Sequence, residues 1–511
     1  MMNWKFYARC LAVLGLSLTT VACGGKGKKA KSAKEVKNPS KDDPAVDMKA
    51  ANDFKVALSA FTQQDLAGTW AAASCQDVAG KFLAAFSQQK SSGGRPLPEA
   101  LYNAGLSYQR CGLDEKAKEQ FKAAHGIDKE FHRPRAQLAL YRYKEEGNID
   151  QTIGELDQII RDAKFQNVEG LVSLAALQMQ RGGKSAGPGC NDDLSCAQLN
   201  LQRALALDDS FMPAFNQLSL YYLEQARGGS GADRGTLVVA GTKKTRVNKQ
   251  RLDLAALVAS QAQKKNPNYA PIHNTTGLIL VELENYNGAV KSFARARKLN
   301  PKLFEAQMNY AAVNLSFRGF GEAATAYRAA LKLRPDTYEA HLGLALALRG
   351  SINDANYAKN VGEAQKHLDA AKQLEPTRPE AFYNEAILTE EFRAKKAASD
   401  AAKIAEFEKA IKQYESFVNN ARGREELSEA VKVSEDRIQD IKDTMDFMKE
   451  SIELAKQDAI AQKKAAAEKA AAAKAAAAEK AAAEKKAAAE KAAGDKPAAE
   501  KPAAGAAAGA K

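Results

Sequence analysis

The sequence has few aromatic residues and no long runs of β-branched residues, although nearly half of it is hydrophobic. Phe, Trp and Tyr make up 7% of the 511 residues, against 45% for all hydrophobic types, and Ala supplies most of that larger share. Ala favours helices, whereas a buried sheet would need the Val, Ile and aromatic side chains that are scarce here. The composition therefore argues against a β-rich protein and predicts an all-α fold in which helices pack on helices.

The sequence also lacks the residue patterns of a catalytic or metal-binding site. Its five histidines are not spaced as metal ligands, and no two cysteines stand in the C-x-x-C arrangement on which zinc or redox sites are built. Gly183-Lys184-Ser185 resembles the end of a phosphate-binding loop, but Gln178 stands where that loop requires a glycine. We therefore predict that the protein is not an enzyme and that it uses no metal and no cofactor.

The first residues have the features of a secretory signal. Lys5 and Arg9 form a charged start, an apolar run from residue 10 to residue 18 follows, and small residues precede Cys23. The apolar run is shorter than the roughly 20 residues that a membrane-spanning helix needs. Residues 1–22 are therefore predicted to be a signal peptide that is removed.

The run Val21-Ala22-Cys23-Gly24 resembles the end of a bacterial lipoprotein signal, in which the cysteine is acylated and becomes the new N-terminus. The resemblance implies lipidation of Cys23, and several acyl chains hold a protein on a membrane far more firmly than one chain does. Glycine follows the cysteine here, not the aspartate associated with inner-membrane retention. We expect a lipid-anchored outer-membrane protein that faces the periplasm. The alternative is an ordinary signal peptide that contains a cysteine.

The net charge of +13 does not indicate a nucleic-acid-binding protein. An exported chain meets little nucleic acid, and the lysines are concentrated near the two ends of the sequence. Residues 23–46, which follow the anchor cysteine, are predicted to be a lysine-rich flexible linker. The linker either lies against anionic head groups or is an extended soluble spacer.

Four cysteines remain once the signal peptide and the lipidated cysteine are set aside. Their even number, in an oxidising compartment, predicts disulfides, for which three pairings exist. Cys190 and Cys196 are close enough in sequence to close one loop, and Cys75 and Cys111 would then join neighbouring helical hairpins.

A spaced pattern of small and aromatic residues recurs through the middle of the sequence. Gly105 is followed by Ala, Phe and Ala at offsets of 12, 16 and 19, as is Gly277, and 34 residues lead from Gly277 to the next copy at Ala311. The pattern resembles the tetratricopeptide repeat, in which two helices pack at the small residues. The resemblance implies a helical solenoid of about eight divergent repeats over residues 47–427, with the small and aromatic repeat positions in its core.

The resemblance also implies a surface for protein partners. In that family, residues three positions before each small anchor tend to face the concave groove of the solenoid, where partners bind. Packing in the core is the alternative for the two tyrosines among them. Transferred position by position, these residues are Tyr102, Asn274, Met308 and Tyr383.

Three insertions give a second candidate surface. They fall around the Cys190–Cys196 loop, between Ser219 and Ala255, and between Ala345 and Ala364, each between the first and second helix of a repeat. Turns of this kind share one rim of a solenoid, and insertions there often mark a binding face. The alternative is that loops simply tolerate insertion.

The C-terminal part changes in composition. Residues 428–461 are predicted to form a charged helix, and residues 462–511 to be a low-complexity tail of Ala, Lys and Glu that begins as helix and ends disordered. Without an apolar stripe, the tail has nothing to pack against. It is interpreted either as an element that reaches towards peptidoglycan and contacts it, or as an inert solubilising extension.

These features together predict a non-enzymatic scaffold that binds other envelope proteins through its groove and rim loops, attaches to the membrane through its lipid, and binds no nucleic acid. In layout it most resembles lipoproteins of the myxobacterial gliding-motility apparatus. The alternatives are an assembly factor for outer-membrane pores, pilus secretins or β-barrels, and a regulator of peptidoglycan synthesis.

Overall fold

The structure is a computed structural model in which helices dominate and the chain divides into two compact units, Met1–Pro376 and Thr377–Lys511. The predicted signal peptide, Cys23 and the linker up to residue 45 lie outside the residues that the structure describes. The described residues are 46–67, 70–183, 189–228, 236–239, 242–245 and 247–494.

The first unit consists of consecutive helix pairs, here called hairpins 1 to 8, each with a first and a second helix. Connections are short in hairpins 1 to 3, and hairpin 4 contains the longer loop between Arg181 and Asp193. Hairpins 1 to 4 are α1 (Met48–Ala67) with α2 (Ala72–Ser91), α3 (Pro98–Gln109) with α4 (Asp114–Ile127), α5 (Arg133–Glu146) with α6 (Ile149–Asp162), and α7 (Val168–Arg181) with α8 (Asp193–Leu207).

Hairpin 5 contains the described strands of the chain, β1 (Thr236–Val239) and β2 (Thr242–Thr245), which pair antiparallel between its two helices. Hairpins 6 and 7 have short turns, and hairpin 8 has a longer one. Hairpins 5 to 8 are α9 (Met212–Ala226) with α10 (Lys249–Lys265), α11 (Ala270–Glu282) with α12 (Tyr286–Leu299), α13 (Phe304–Ser316) with α14 (Phe320–Leu333), and α15 (Tyr338–Gly350) with α16 (Tyr357–Leu374).

The two helices of a hairpin are buried to different extents. In hairpin 2, nine of the 12 residues of α3 are buried, whereas α4 buries three of its 14 residues, Ala117, Phe121 and Ala124. Hairpin 6 repeats this difference between α11 and α12. From hairpin 2 onwards the first helices therefore form an inner layer and the second helices an outer one, whereas in hairpin 1 the second helix, α2, is the more buried of the two. In this outer layer one narrow stripe provides the apolar contact that stacked repeats require.

Glycine at the repeat anchor lets the two helices of a hairpin touch. A Cβ atom on Gly105 would lie 2.6 Å from Cε1 of Phe121, and one on Gly277 would lie 2.4 Å from Cε1 of Phe293. Both rings are completely buried, as is Ala311 at the third anchor. The prediction that the small and aromatic repeat positions form the core is confirmed.

The described residues contain two disulfides, Cys75–Cys111 and Cys190–Cys196, with Cα atoms 6.4 Å and 5.0 Å apart. The first joins α2 to the turn that follows α3, and therefore links hairpins 1 and 2. The second closes part of the loop between α7 and α8. Of the three pairings that the sequence allows, the structure has the one that follows from closing the short loop.

The second unit contains a ninth hairpin and a long final helix. A π-helical turn (Thr389–Arg393) and a short 3₁₀ turn (Ala394–Lys396) extend the first helix, and another 3₁₀ turn (Glu425–Leu427) precedes the last one. At 1.5 Å per residue, the 67 residues of the final helix span about 100 Å. The helices are α17 (Glu380–Leu388), α18 (Asp400–Ala421) and α19 (Ser428–Gly494).

The final helix is packed at its start and exposed afterwards. Ile441 and Met445 of α19 are buried in a cluster with Phe407 and Tyr414 of α18. From residue 453 to residue 491 every side chain is exposed. The exposure of these residues agrees with the sequence prediction for the tail. The helix predicted over residues 428–461 is not a purely charged, exposed one. Its first turns carry apolar residues at three- and four-residue spacing and belong to the folded unit.

The all-α solenoid is therefore confirmed, with two differences of detail. The described residues contain nine hairpins where about eight repeats were predicted. The insertion in hairpin 5 contains strands, which suits its sequence: Thr and Val favour strands and the long insertion leaves them free of the helical repeat.

A candidate partner-binding strip on the inner helices

The predicted groove residues are mostly buried in the structure. Tyr102 and Met308 are each 1% exposed, and Asn274 accepts a 2.9 Å hydrogen bond from Nδ2 of Asn309 in the next hairpin. The prediction that these three side chains face an open groove is wrong. The next hairpin contacts two of these positions, with Phe131 and Arg133 against Tyr102 and Asn309 against Asn274.

Tyr383, the fourth predicted groove residue, lies in the second unit and is half-buried. Its ring centroid is 5.9 Å from that of Tyr414 and 5.0 Å from that of Phe417, both on α18. Packing, which was the alternative for this residue, accounts for its surroundings.

Hydrogen bonds link buried polar side chains on the inner helices of hairpins 5 to 7. Besides the Asn309–Asn274 bond, Oγ1 of Thr275 donates to Oδ1 of Asn216 at 2.7 Å. Among the described residues from 247 to 364, every buried side-chain nitrogen and oxygen has a hydrogen-bond partner. This part of the inner layer is therefore satisfied by its own contacts.

Hairpins 2 and 3 differ from these later hairpins in the pairing of their buried polar atoms. Six buried polar atoms in hairpins 2 and 3 have no hydrogen-bond partner: Nδ1 of His125 on α4, and five atoms of side chains on α3, at its C-terminal end or at the start of α5. We call the residues that carry these five atoms the inner strip. The atoms are Oε2 of Glu99, the hydroxyl of Tyr102, Oε1 of Gln109, Nη1 of Arg110 and Nε of Arg133.

The inner strip follows one face of α3. Glu99, Tyr102 and Gln109 are spaced by three and seven residues, which places them one above another on a helix. At the C-terminal end of α3, Nε2 of Gln109 donates a 3.2 Å hydrogen bond to Oε1 of Gln137 on α5. The Arg133 guanidinium lies 4.6 Å from the centroid of the Tyr102 ring, so that the two helices meet along the strip.

Tyr102 is held firmly, and its hydroxyl makes no hydrogen bond of normal geometry, although the side chains of Gln137 and Arg133 are its polar neighbours. Its ring contacts Phe121 and Phe131, both at a centroid distance of 5.5 Å. Burial raises the pKa of Tyr102 to about 12, and the nearby Glu169 carboxylate acts in the same direction. The hydroxyl therefore stays protonated and can donate as well as accept a hydrogen bond.

The charged members of the strip are held by ion pairs that leave part of their hydrogen-bonding capacity unused. Arg110 bonds Asp65 through Nε at 2.8 Å and through Nη2 at 3.1 Å, and Arg133 pairs with Glu169. The side chains of Arg133 and Glu99 are 35% and 37% exposed. The strip is therefore open to solvent at the end formed by Glu99 and Arg133, and it is closed at the Arg110 end.

The strip combines donors with acceptors. Arg110, Arg133 and Tyr102 offer N–H or O–H groups, and Glu99 and Gln109 offer oxygens. A buried polar group without a partner costs about 1–3 kcal/mol, so a ligand that supplied both kinds of partner would bind favourably here. A polypeptide main chain, with its alternating N–H and C=O groups, has this character.

Tyr102 was the one residue of the strip that the sequence analysis selected. The other four were missed because no single residue type marks an unpaired atom. The available signal was their placement, since polar residues on one face of a buried first helix are unusual.

The three insertions lie where the sequence analysis placed them, between the first and second helices of hairpins 4, 5 and 8. The loop of hairpin 4 is anchored at its base, where Arg181 forms two bonds, of 2.6 Å and 2.8 Å, with the fully buried Asp193. In hairpin 8, Asn353 and Asn356 bond each other's main chain and close the turn. Basic residues 243–246 in hairpin 5 were part of the same prediction, and their side chains lie outside the described residues.

Two further features of the described residues bear on the sequence predictions. No helix in the described ranges is both long enough and apolar enough to cross a membrane. In the same ranges, His, Cys, Asp and Glu side chains nowhere gather in a group of three that could hold a metal ion.

The chain is similar to tetratricopeptide-repeat proteins. The family profile described as tetratricopeptide repeat matches residues 98–131, which contain hairpin 2. This repeat is generally a non-catalytic scaffold for protein partners, and no enzymatic family is indicated. Together with the hairpin arrangement, the match identifies the fold as a tetratricopeptide-type solenoid.

Several solved structures are similar to parts of the chain. A thermophilic tetratricopeptide-repeat protein from Thermus thermophilus is 24% identical over 42% of this chain and 98% of its own, with a TM-score of 0.35. A tetratricopeptide repeat protein from Parabacteroides merdae is 14% identical over 59% and 98%, with a TM-score of 0.34. PilF from Pseudomonas aeruginosa is 16% identical over 48% and 92%, with a TM-score of 0.33. No curated protein matches the chain.

Proposed function

We propose that this protein is a non-enzymatic scaffold that binds an extended segment of a protein partner at the inner strip of hairpins 2 and 3. One observation carries the proposal: five unpaired buried polar atoms occur together on these inner helices, whereas those of hairpins 6 to 8 are paired. Tyr102 is covered in the free protein, so a partner must first displace the partly exposed side chains of Arg133 and Glu99. Hydrogen bonds from the partner to the strip would then remove the cost of the unpaired atoms.

The rest of the proposal concerns location and rests on the sequence. A chain that is lipidated at Cys23 and exported would hold its solenoid in the periplasm beside the outer membrane. Its partners would then be components of an envelope-spanning machine, of the gliding-motility type by the layout of the sequence. Pore, secretin and β-barrel assembly, and regulation of peptidoglycan synthesis, are the alternatives that the identity of the partner would decide.

The test of the strip compares two Tyr→Phe variants of the full chain. Tyr102→Phe removes the unpaired hydroxyl, and Tyr310→Phe, the matched control, removes a hydroxyl on an inner helix of hairpin 7 that already bonds Glu322 at 3.1 Å. Each variant is immobilised and exposed to detergent-solubilised envelopes, and the captured proteins are quantified.

We expect Tyr102→Phe to lower capture of the principal partner about 10-fold, the loss of one hydrogen bond worth about 1.4 kcal/mol. Tyr310→Phe should capture as much as the wild-type chain. Equal capture by all three proteins would remove the strip from the binding surface.

The test of location is the variant Cys23→Ser. No described helix can span a membrane, so a chain without the lipid should leave the membrane fraction after a high-salt wash. Retention of Cys23→Ser in the outer membrane would contradict the lipid anchor, unless solubilisation of a partner then released it.

A further inference from the structure

The final helix has an exposed apolar face in addition to its packed one. Phe447 and Leu454 are 73% and 60% exposed, and they are seven residues apart, which is close to two helical turns. Met445, which is buried against α18, is nine residues from Leu454 and therefore lies about half a helical circumference away. α18 thus occupies one side of α19 while two large apolar side chains remain exposed on the other.

The same face continues through the alanine-rich part of α19. Beyond Leu454, alanines follow at alternating spacings of seven and four residues, each close to a whole number of helical turns. Seven and four sum to eleven, and an eleven-residue repeat keeps a stripe nearly straight along a helix. We call this stripe the outer face of α19. It comprises Phe447, Leu454, Ala461, Ala465, Ala472, Ala476, Ala483 and Ala487.

Two rows of charge border the outer face with the same eleven-residue period. One row is acidic and the other basic, and neighbouring members of the two rows are adjacent in sequence. Adjacent residues differ by about 100° around a helix, so the rows lie about 50° to either side of the alanines. The rows are Glu468, Glu479 and Glu490 on one side and Lys469, Lys480 and Lys491 on the other. Lys464 and Lys486 on the acidic side, and Glu484 on the basic side, lie farther from the alanines, at about 80°.

We propose that a second copy of this chain covers the outer face, with the two α19 helices parallel and in register. A two-fold axis along such a pair brings the glutamate row of each helix against the lysine row of the other, on both sides of the alanine seam. An antiparallel pair would instead place lysine against lysine and glutamate against glutamate. A partner of uniform charge would be repelled along one of the two rows.

The composition of the face suits this pairing. Alanine side chains let two helix backbones approach closely, and no polar group interrupts the seam at its alanine positions. Phe447 and Leu454 supply the large apolar contacts at the end nearest the folded unit, where they would leave water on association. The pairing does not depend on the inner strip, so either proposal can fail alone.

The first test is disulfide trapping in the full chain. Ala465→Cys and Ala487→Cys each place a thiol on the seam, and Ala467→Cys, the matched control, places one about 160° away from Ala465. Under mild oxidation of purified chain and of isolated envelopes, each seam variant should form disulfide-linked dimers at least 10-fold faster than Ala467→Cys and than the wild-type chain.

Orientation is read from the same variants. In a parallel pair, Ala465→Cys and Ala487→Cys, carried on chains of different tag mass, should not cross-link to each other when mixed. Preferential formation of the mixed dimer would overturn the parallel arrangement. Cross-linking of Ala467→Cys at the rate of the seam variants would show that the outer face is not the surface on which the two chains meet.

The second test exchanges charge. A triple variant, Glu468→Lys, Glu479→Lys and Glu490→Lys, has lysine on both borders, and Lys469→Glu, Lys480→Glu and Lys491→Glu has glutamate on both. Each variant alone should sediment as a monomer, with helix content checked by circular dichroism, and an equimolar mixture should recover the dimer. A wild-type chain that remains monomeric at the same concentration, or triple variants that dimerise as it does, would overturn the proposal.

Discussion

Hairpins 2 and 3 are built on the same repeat as hairpins 6 and 7. The two regions differ in whether their buried polar side chains have hydrogen-bond partners. Glycine anchors bring the helices together in both regions, with Gly105 against Phe121 and Gly277 against Phe293. In the later hairpins Asn274 is bonded to Asn309 and Thr275 to Asn216 of hairpin 5, whereas the five atoms of the inner strip have no partner. The difference therefore lies in the side chains and not in the backbone of the repeat.

Buried polar groups of the inner layer therefore affect stability in two different ways. A paired buried group stabilises the solenoid by a modest amount, whereas an unpaired one destabilises it until a ligand arrives. Hairpins 2 and 3 have an additional constraint near their unpaired atoms, because Cys75–Cys111 links hairpin 2 covalently to hairpin 1. We expect the covalent link to offset part of the cost of the inner strip.

The largest effect should follow from removing that link. The disulfide closes a sequence separation of 36 residues, for which loop closure predicts a loss of about 3–4 kcal/mol in the double variant Cys75→Ser, Cys111→Ser. The control is Cys190→Ser, Cys196→Ser, which opens a separation of six residues and should cost less. Amide hydrogen exchange in α1 to α4 measures the loss of stability within hairpins 1 and 2. Equal effects of the two pairs would show that the earlier hairpins need no special support.

Anchor substitutions should affect the two regions equally. Gly105→Ala and Gly277→Ala each introduce a Cβ atom that collides with a buried ring, and each should cost about 3 kcal/mol. Gly154→Ala is the control, because a Cβ atom there meets nothing within 4 Å and alanine should stabilise α6 by about 0.5–1 kcal/mol. Thermal unfolding measures all three. A large difference between the two anchors would mean that the backbone packing of the regions is not equivalent.

Removal of a polar group should have opposite outcomes in the two regions. Asn309→Leu leaves Oδ1 of Asn274 without its donor and should lower the free energy of unfolding by about 2 kcal/mol. Tyr102→Phe removes a hydroxyl that has no partner, and stability should stay the same or rise. Denaturant unfolding of both variants provides the comparison. Destabilisation by Tyr102→Phe as large as that by Asn309→Leu would mean that its hydroxyl is paired in solution.

A smaller effect concerns pH in hairpin 8. Nε2 of His341 bonds the carbonyl oxygen of Pro335 at 2.9 Å, so its Nδ1 can accept from Nδ1 of His367, also at 2.9 Å. Burial, followed by the proximity of His341, lowers the pKa of His367 to about 4. The unfolded chain then binds a proton near pH 6.5 that the folded chain binds only near pH 4.

Stability should therefore fall as the pH is lowered from about 6.5 to about 4. After allowance for solvent screening of this half-buried ring, we expect a loss of about 1–2 kcal/mol. His367→Gln should lose less stability over the same pH range, as measured by thermal unfolding at several pH values. An NMR titration that puts the pKa of His367 near 6.5 in the folded chain would contradict this expectation.

Much of the architecture was predictable from the sequence because it depends on local spacing. Small residues at the anchors, an aromatic residue 16 positions later, and alanine-rich composition are each read within one repeat, and they predicted the hairpins and their cores. The insertions and the start of α19 at residue 428 were located for the same reason. A charged, alanine-rich tail was expected to be exposed, and residues 453–491 are.

What the sequence could not decide depends on contacts between hairpins. Whether Tyr102 faces a groove or is covered depends on Arg133 and Phe131, about 30 residues away, and whether Asn274 is paired depends on Asn309. The choice among three disulfide pairings likewise required the distance between α2 and the end of α3. Helical periodicity determines which side of a helix is apolar, because it is a property of consecutive residues. The pairing of each buried polar atom is decided only by tertiary structure, because its partner lies on another repeat.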